Sequence, residues 1–428
     1  MSNDNFKSRS KDGSKGAFTR VRKLPFEHLI VSMLTMGNSS LQREMDKFIR
    51  EAHGREFNIR GITKSAFSQS RKQLKPEAFL ELNELVCNEF YEGAPYLGYN
   101  NHRVLGLDGS RLLLPNSEDI AQGFGTVGYG PNADVQRSLA TVSFLYDVGN
   151  YLTLDAQVAA QGGSEKSLLY KHLEKVKAGD LLLMDRGYPS KALLGILAGK
   201  GIEFCVRMKE DWWLQVNSFA QSNAVDSEVV FEPSDKDRKE YGAQYPEMKQ
   251  KVKCRLVKVL LDNGLTEILC TSLLDTQKYP LADFKEVYHL RWGIEEGFKM
   301  FKSRVNIEAF TGKSAVSVKQ DIYAKAMMMS LCAAFAFPIE QKVKAEYAAN
   351  KDLKHPQKIN RTTAYANTKA VAISMFLKSK IKQAIAAFDD IVYNTREIVR
   401  PNRKNPRNHR PKQQHYMNYK HIYTQRHK

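Results

Sequence analysis

The chain has 428 residues and a formal net charge of +18, from 65 Lys and Arg against 47 Asp and Glu. This length permits two to four domains with large buried cores, and a hydrophobic fraction of 42% excludes a wholly disordered protein. The positive charge favours a polyanionic partner such as nucleic acid, which an acidic small-molecule substrate alone would not require.

Residues 1–98 carry helical patterns. Thr63 is the predicted N-cap of a polar helix, KSAFSQSRKQL, and the preceding segment SLQREMDKFIREA also has helical periodicity. Short helices followed by a polar helix that bears Lys64, Arg71 and Lys72 fit a DNA-reading helix-turn-helix. An ordinary helical bundle with a solvated face fits the same pattern at least as well.

From residue 99 the pattern changes to strands. Three adjacent runs, VLGLDGSRLLL, SLATVSFLYDV and YLTLDAQVAA, are separated by short turns and predict an antiparallel meander. A helix after Ser164, the buried strand-like run DLLLMDRGY, and a further helix and strand then follow up to residue 210. This order of elements predicts an α/β fold with a mixed sheet over 99–210.

The remaining chain divides into three predicted segments. Residues 211–275 return to a strand-like pattern and predict a β-rich insertion, whereas 276–395 predict the second part of the core with C-terminal helices. Residues 396–428 are basic and nearly free of aliphatic side chains, which predicts a flexible tail. An arm that binds DNA phosphates fits that composition about as well.

The cysteines, the N-terminus and the longest apolar run bear on the cellular compartment. Five cysteines are scattered singly, without the spacing of a disulfide framework, and predict reduced core residues. Residues 1–16 lack the apolar segment of a signal peptide. The apolar run 326–339 is shorter than the ~20 residues of a membrane helix and predicts a buried helix. We therefore expect a cytoplasmic protein without membrane contacts.

Two aspartates follow apolar strand-like runs: Asp108 follows VLGL, and Asp185 follows LLLM. Taken singly, each fits an ordinary turn better than a functional site, because Asp is common at strand ends. If the two strands are neighbours, both carboxylates emerge at the same end of the sheet, where a divalent cation would relieve their repulsion. The pair therefore predicts a metal site more strongly than either residue does alone.

A helix predicted over 283–305 carries a polar stripe. At about 100° per residue, Tyr288, Arg291, Glu295 and Lys302 lie along one border of an apolar face, and Glu296 points into solvent. The stripe would place a third carboxylate and several phosphate-binding groups at the edge of a cleft. A helix rim with an i,i+4 ion pair between Arg291 and Glu295 fits equally well.

The four stripe residues have the spacing Y-x2-R-x3-E-x6-K, which resembles the signature of bacterial insertion-sequence transposases of family four, a family of DDE transposases. GLDGS around Asp108 and MDRGY around Asp185 resemble the motifs that carry that family's two aspartates. The N-terminal segments FTRVRKLPF, GNSSLQREMDKF and TKSAFSQSRKQL resemble its DNA-binding region. The likeness covers most of the chain up to about residue 396.

The resemblance implies an RNase H-like core, preceded by a helical DNA-binding domain and interrupted by the β-rich insertion. It also implies that Asp108, Asp185 and Glu295 bind two Mg²⁺ ions, for which Mn²⁺ would substitute, and catalyse a two-metal phosphoryl transfer. The other three residues of the signature would contact the backbone of the transposon end. We accordingly expect a transposase that cuts transposon ends and transfers the cut strands.

The expected partners are double-stranded DNA, as terminal inverted repeats and as target, and a second copy of the chain in the DNA complex. A nucleoid association is expected when the protein is bound to DNA. No nucleotide cofactor is expected, because the glycine-rich segment 123–132 lacks the Lys-Ser/Thr pair of a phosphate-binding loop. The spacing of the histidines predicts no zinc site.

Two other classes of function fit parts of the sequence: a DNA-binding protein that has lost transposition, and a repair or RNA-directed nuclease on the same core. The presence of all three carboxylates argues against the first, and the insertion, helical N-terminus and polar stripe argue against the second. Trp212 and Trp213 are candidates for holding a flipped base. Paired tryptophans in a small β domain more often pack in its core.

Overall fold

The structure is a computed structural model, and it describes residues 1, 3–13, 16–19, 23–129, 135–262, 264–350 and 354–400. Most of the predicted basic tail, 401–428, and part of the glycine-rich segment lie outside the described residues. The first five residues of that predicted tail are described, and Glu397–Ile398 pairs in a short antiparallel ladder with Gln357–Lys358.

The helices are α1 (Asp4–Arg9), α2 (Phe26–Thr35), α3 (Leu41–Ala52), α4 (Lys64–Lys72), α5 (Glu77–Gly93), α6 (Glu118–Phe124), α7 (Glu165–His172), α8 (Lys191–Gly199), α9 (Leu214–Gln221), α10 (Asp235–Tyr241), α11 (Phe284–His289), α12 (Trp292–Ser303), α13 (Ala315–Ala349), α14 (Arg361–Leu377) and α15 (Ile381–Asn394). The strands are β1 (Val104–Leu113), β2 (Val127–Tyr129), β3 (Val135–Arg137), β4 (Leu139–Asp147), β5 (Leu152–Ala159), β6 (Leu181–Met184), β7 (Glu203–Arg207), β8 (Asp226–Phe231), β9 (Val252–Leu260), β10 (Thr266–Thr271), β11 (Gln357–Lys358) and β12 (Glu397–Ile398).

The chain folds into two compact units. One, the helical unit, contains the described residues within 1–93, 111–140 and 300–400; the other, the sheet unit, contains the described residues within 94–110 and 141–299. The N-terminal helices therefore share a unit with the C-terminal helices, although some 200 residues separate them in sequence. The two units are therefore defined by which helices and strands pack together, and not by the order of the segments along the chain.

The helical unit is built around α13. Helices α2, α5, α14 and α15 pack against it, and Ser314 caps its first turn in a reciprocal capping box with Ser317. By length and composition α13 could cross a membrane, but most of its apolar stretch is buried inside this unit. The prediction of a buried helix over 326–339 is thus confirmed, as is the N-cap of α4, where the Thr63 hydroxyl accepts from the Ala66 N–H.

The sheet unit is organised by an eight-stranded mixed sheet with the order β5-β4-β1-β6-β7-β10-β9-β8. β4 and β5 form an antiparallel hairpin, and β1, β6 and β7 run parallel to one another. In order of appearance along the chain, these five strands lie 3-2-1-4-5, which is the strand order of an RNase H-like core. The α/β fold class predicted from the sequence is confirmed.

The segment predicted as a β-rich insertion extends the same sheet. β10 pairs antiparallel with β7, and β9 and β8 continue outward from it. Two short helices, α9 and α10, interrupt these strands. The buried faces of β9 and β10 explain why the sequence pattern there is strand-like.

The single helix predicted over 283–305 is wrong in its continuity. A 3₁₀ turn over Leu281–Asp283 leads into α11, and α12 starts at Trp292, so Leu290 and Arg291 lie between two helices. Leu290 keeps right-handed helical angles (φ −56°, ψ −26°). The helical periodicity of apolar residues therefore continues through the boundary between α11 and α12 and does not reveal it. The Arg291–Glu295 ion pair across the start of α12 is nevertheless formed.

Candidate active site

Asp108 and Asp185 come from neighbouring parallel strands. β1 and β6 pair in a register that puts Gly106 opposite Leu183. Continued by two residues, that register places Asp108 opposite Asp185, which directly follows the last residue of β6. Paired strands lie about 4.8 Å apart. The structure thus places the two aspartates side by side, with Asp185 directly after the end of β6 and Asp108 within β1, which continues to Leu113.

Helix α12 approaches this end of the sheet closely. A Cβ atom at Gly106 would lie 3.0 Å from Cγ1 of Val148 and 3.3 Å from Cβ of Ile294, so a side chain at residue 106 would crowd the helix that lies over β1. Ile294 is the neighbour of Glu295. The close approach places the first turn of α12, and with it the third predicted carboxylate, over the strand that carries Asp108.

The carboxyl of Asp108 is partly buried in acidic surroundings. Burial raises its pKa to about 6, and the charges of Glu165 and Glu295 act in the same direction. The N–H of Gly109, 2.8 Å from Oδ1, and the nearby Arg291 guanidinium oppose the shift. Asp108 is therefore a carboxylate for which the fold supplies too little positive charge.

Asp185 has an unsatisfied oxygen. Its Oδ1 is buried and has no hydrogen-bond partner among the described residues. A buried carboxylate oxygen without a donor is costly and calls for a partner such as a cation. The negative charge of Asp185 also acts on Tyr288 and on Arg291, which locates it beside the start of α12.

Glu295 is held by Arg291. Nη2 of Arg291 donates to Oε1 of Glu295 at 2.9 Å, whereas Nε of Arg291 is buried with no hydrogen-bond partner in the part of the chain that the structure describes. Among these same residues, no three acidic, histidine or cysteine side chains are drawn together closely enough to form a ready-made metal cluster. Metal ligation by Glu295 would have to compete with this ion pair.

A fourth carboxylate, Glu165, was not found from the sequence. It is the first residue of α7, and a Cβ at Gly109 would lie 2.6 Å from its Cδ. The hydroxyl of Tyr188 donates to its Oε2 at 3.4 Å. Burial raises the pKa of Tyr188, and the charges of Glu165, Asp108 and Asp185 add to that effect. The capping residue Ser164 marked the start of this helix, but nothing local indicated where the helix would pack.

The four signature residues differ in accessibility. Tyr288 and Arg291 are 7% and 8% exposed, whereas Lys302 is exposed and lies in the helical unit beside a cavity that Arg111 and Glu308 also line. The hydroxyl of Tyr288 donates to the carbonyl of Met184 at 3.3 Å. This burial does not fit the expected contacts of Tyr288 and Arg291 with a DNA backbone, since neither side chain presents a free surface to phosphate. The placement of Lys302 does fit such a contact.

Arg71 corrects the expectation for the N-terminal helix. Lys64 and Lys72 are exposed, but Arg71 is only 3% exposed. Its guanidinium donates to four groups of the segment that contains the start of α13: the Gln320 side chain at 2.8 Å, Thr311 Oγ1 at 2.6 Å, the Ser317 carbonyl at 3.1 Å and Asp321 Oδ1 at 2.8 Å. These contacts occupy the Arg71 guanidinium inside the helical unit, which does not fit the predicted contact of Arg71 with DNA.

The two tryptophans have different environments. Trp213 is half-buried and packs edge-on against Phe231, with ring centroids 4.7 Å apart. Trp212 is 41% exposed, and the ammonium groups of Lys166 and Lys209 lie 5.4 and 5.5 Å from its ring centroid. The expected core role is therefore wrong for Trp212, which offers an aromatic face flanked by positive charge.

Comparison with known proteins identifies the family to which the chain belongs. The transposase DDE domain family matches residues 101–331, more than half of the chain, and the chain belongs to that family. It is of the IS4 type: it is 23% identical over 320 residues to the transposase InsG for insertion sequence element IS4 of Escherichia coli (strain K12), a match that covers 73% of this chain and 70% of that protein. The family predicted from the sequence is confirmed.

Among solved structures, the chain is similar to a piggyBac transposase in a synaptic complex with hairpin DNA, determined by cryo-electron microscopy. The two share 10% sequence identity with a TM-score of 0.42, and the match covers 91% of this chain and 80% of that chain.

Proposed function

We propose that this DDE transposase cuts DNA at the ends of its insertion sequence and joins the released 3′ ends to target DNA. The observation that carries the proposal is the common register of Asp108 and Asp185 on adjacent parallel strands, with Glu295 close enough to raise the pKa of Asp108. A pair of adjacent aspartates with a third carboxylate nearby suits phosphoryl transfer, in which a hydroxyl attacks phosphorus in line with the departing 3′ oxygen.

The cofactor in this proposal is Mg²⁺, with Mn²⁺ as a substitute. Carboxylate oxygens are the ligands that Mg²⁺ prefers, and the unsatisfied, buried Oδ1 of Asp185 together with the acidic surroundings of Asp108 fits a divalent cation. When bound, such ions activate the attacking hydroxyl and stabilise the leaving oxygen.

The protein's own groups have distinct tasks in this scheme. Asp108 and Asp185 provide carboxylates fixed by the sheet, and Glu295 provides one whose position Arg291 sets before ligation. Tyr288 holds the carbonyl that precedes Asp185 and so fixes the end of β6. The two aspartates would therefore hold a cation without a large rearrangement, whereas Glu295 would have to leave its hydrogen bond with Arg291 in order to act as a ligand.

The DNA contacts in this proposal come from exposed cations. Lys302, Lys64 and Lys72 contact phosphates, consistent with their exposure and with the net charge of +18. Trp212, between two lysines, stacks on an unpaired base. Two DNA ends are handled in one event, so the working complex contains two copies of the chain, and it acts on cytoplasmic, nucleoid-associated DNA.

The test is a pair of isosteric substitutions, Asp108→Asn and Asp185→Asn, assayed on a labelled duplex of the sequence's own terminal repeat with Mg²⁺ or Mn²⁺. Both variants should lose cleavage and retain DNA binding, because they remove a negative charge without changing the side-chain volume. Asp235→Asn is the matched control, since its side chain is 88% exposed in α10. An aspartate whose amide variant cleaves at the parental rate is not part of the site.

A further inference from the structure

A buried chain of hydrogen bonds ends at the backbone of Asp108. In the sheet unit, Nδ1 of His172 lies 2.7 Å from Oδ2 of Asp155, and Nε2 of His172 lies 3.0 Å from Oγ of Ser143. The hydroxyl of Ser143 in turn donates to the main-chain carbonyl of Asp108 at 3.1 Å. The chain connects β5, the end of α7 and β4 to the strand that carries the first aspartate.

The direction of each hydrogen bond follows from the number of hydrogens available. A carbonyl only accepts, so the single hydroxyl hydrogen of Ser143 is used on Asp108. Nε2 of His172 must then donate to Ser143. The carboxylate of Asp155 also only accepts, so Nδ1 of His172 must donate as well. The chain is complete when both ring nitrogens of His172 carry a hydrogen.

The surroundings of Asp155 agree with this assignment. Burial by itself would raise the pKa of Asp155, but the hydrogen bond and charge of His172 outweigh burial and hold that pKa below its ordinary value. Nε2 of Gln157 adds a further hydrogen bond to Oδ2 at 2.8 Å. The carboxylate of Asp155 is thus satisfied inside the protein by His172 and Gln157.

The same three residue types form the triad of serine hydrolases, but here they cannot act as one. Ser143 and His172 are completely buried, so no substrate carbonyl can reach the hydroxyl. The hydroxyl hydrogen is also directed to Asp108 and away from the imidazole, whereas a nucleophilic serine gives its proton to the histidine. This hydrogen-bond chain therefore holds the backbone of β1 and performs no chemistry of its own.

We propose that Ser143 and His172 are positioning residues for Asp108: they hold its main-chain carbonyl and thereby set the direction of its carboxylate. This inference rests on the proposed role of Asp108 as a metal ligand. Groups that orient metal ligands from outside the coordination shell change metal affinity or activity by roughly 10- to 100-fold when removed. The effect is expected at the metal site and not on DNA binding.

The test compares Ser143→Ala with Ser32→Ala in the full-length protein. Ser32 is an equally buried serine whose hydroxyl donates to the carbonyl of Leu29 within α2, so the control removes the same atoms from the helical unit, which does not contain Asp108. Free Mn²⁺ is titrated by electron paramagnetic resonance. Asp108→Asn, measured first, establishes whether the parental Mn²⁺ site depends on Asp108, which tests the proposed function separately.

Where that dependence holds, Ser143→Ala should weaken Mn²⁺ binding by roughly tenfold or more, whereas Ser32→Ala should bind Mn²⁺ like the parent. Both should bind the terminal-repeat duplex with parental affinity. Parental Mn²⁺ affinity in Ser143→Ala would overturn the proposal. A double-mutant cycle with His172→Gln should show non-additive losses, because both residues act on the same carbonyl.

Discussion

The hydroxyl of Tyr288 donates a hydrogen bond to the main-chain carbonyl of Met184, the residue immediately before Asp185. This contact ties α11 to the end of β6, and the nearly complete burial of Tyr288 shows that its ring belongs to the interior. The first residue of the four-residue signature is therefore directed to the backbone next to Asp185, and its burial does not fit a contact with DNA.

Tyr288→Phe separates these two roles. The substitution keeps the ring and removes one buried hydrogen bond, so we expect a loss of about 1 kcal/mol in the free energy of unfolding and a slower cleavage step as Asp185 loses its support. Affinity for a terminal-repeat duplex should be unchanged. Single-turnover cleavage and a binding titration of the same preparation measure both. Weaker DNA binding with a parental cleavage rate would instead assign the hydroxyl to the DNA.

Glu295 and Glu296 are adjacent, chemically identical residues with opposite surroundings. Glu295 is half-buried against Arg291, and Glu296 is exposed and pairs only with Lys299 among the described residues. Glu295→Gln should abolish cleavage because it weakens a metal ligand. Glu296→Gln should leave activity intact and change the free energy of unfolding by no more than about 0.5 kcal/mol.

Cleavage of a labelled end duplex with Mg²⁺, together with circular dichroism to check folding, compares the two glutamine variants. The pair is internally controlled, because both substitutions lie in the first turns of α12 and remove one negative charge. A dispensable Glu295 beside an essential Glu296 would contradict the site assignment.

The position of the two aspartates could be predicted because the information is local. An uninterrupted apolar run before Asp185 marks a strand buried on both faces. That strand pairs in parallel with β1, which carries Asp108 and continues beyond it to Leu113. The spacing of the four signature residues is likewise contained in a single 15-residue stretch. These features depend on nearby side chains, which the sequence displays directly.

The burial of Arg71 and the chain that ends at Asp108 could not be predicted. The acceptors of Arg71 lie about 250 residues away in sequence, and a polar helix looks solvated until its partners are known. The sequence around His172 contains no second residue at metal-ligand spacing, and it does not indicate any other partner. Ser143 and Asp155 contact His172 only after β4 and β5 have paired and α7 has packed on β5. Such contacts depend on tertiary packing, and the local sequence pattern does not predict them.

The raised pKa of Asp108 predicts a pH-dependent effect of Asp108→Asn on stability without metal. Because the folded-state pKa is about 6 and the ordinary value 3.8, the folded protein binds this proton more tightly, and stability falls as pH rises from about 4 to about 6. At pH 7.5 the charged Asp108 therefore costs stability, by no more than about 3 kcal/mol at 1.4 kcal/mol per pKa unit.

Asp108→Asn should accordingly raise the melting temperature of the metal-free protein at pH 7.5, and the gain should shrink when both proteins are measured at pH 4.5. Scanning calorimetry in the presence of a chelator provides the comparison. A lower melting temperature for the variant at pH 7.5 would show that the carboxylate is stabilised by its surroundings, contrary to the environment described above.

Arg71 and Lys72 are consecutive basic residues of α4 that should respond oppositely to removal. Arg71→Met breaks the buried pair with Asp321, whose side chain is only 5% exposed, and leaves an uncompensated carboxylate; the expected loss is about 3 to 5 kcal/mol of unfolding free energy. Lys72→Ala removes an exposed charge and should change stability by at most about 0.5 kcal/mol.

The DNA-binding measurements should show the reverse order. Lys72→Ala should weaken binding to duplexes of any sequence and reduce the slope of log K against log salt by about 1, as expected for the loss of one phosphate contact. Arg71→Met, assayed at a temperature where circular dichroism shows it folded, should keep the parental slope because its guanidinium is enclosed by Thr311, Gln320 and Asp321. A folded Arg71→Met protein with parental stability and a reduced slope would show that Arg71 contacts DNA.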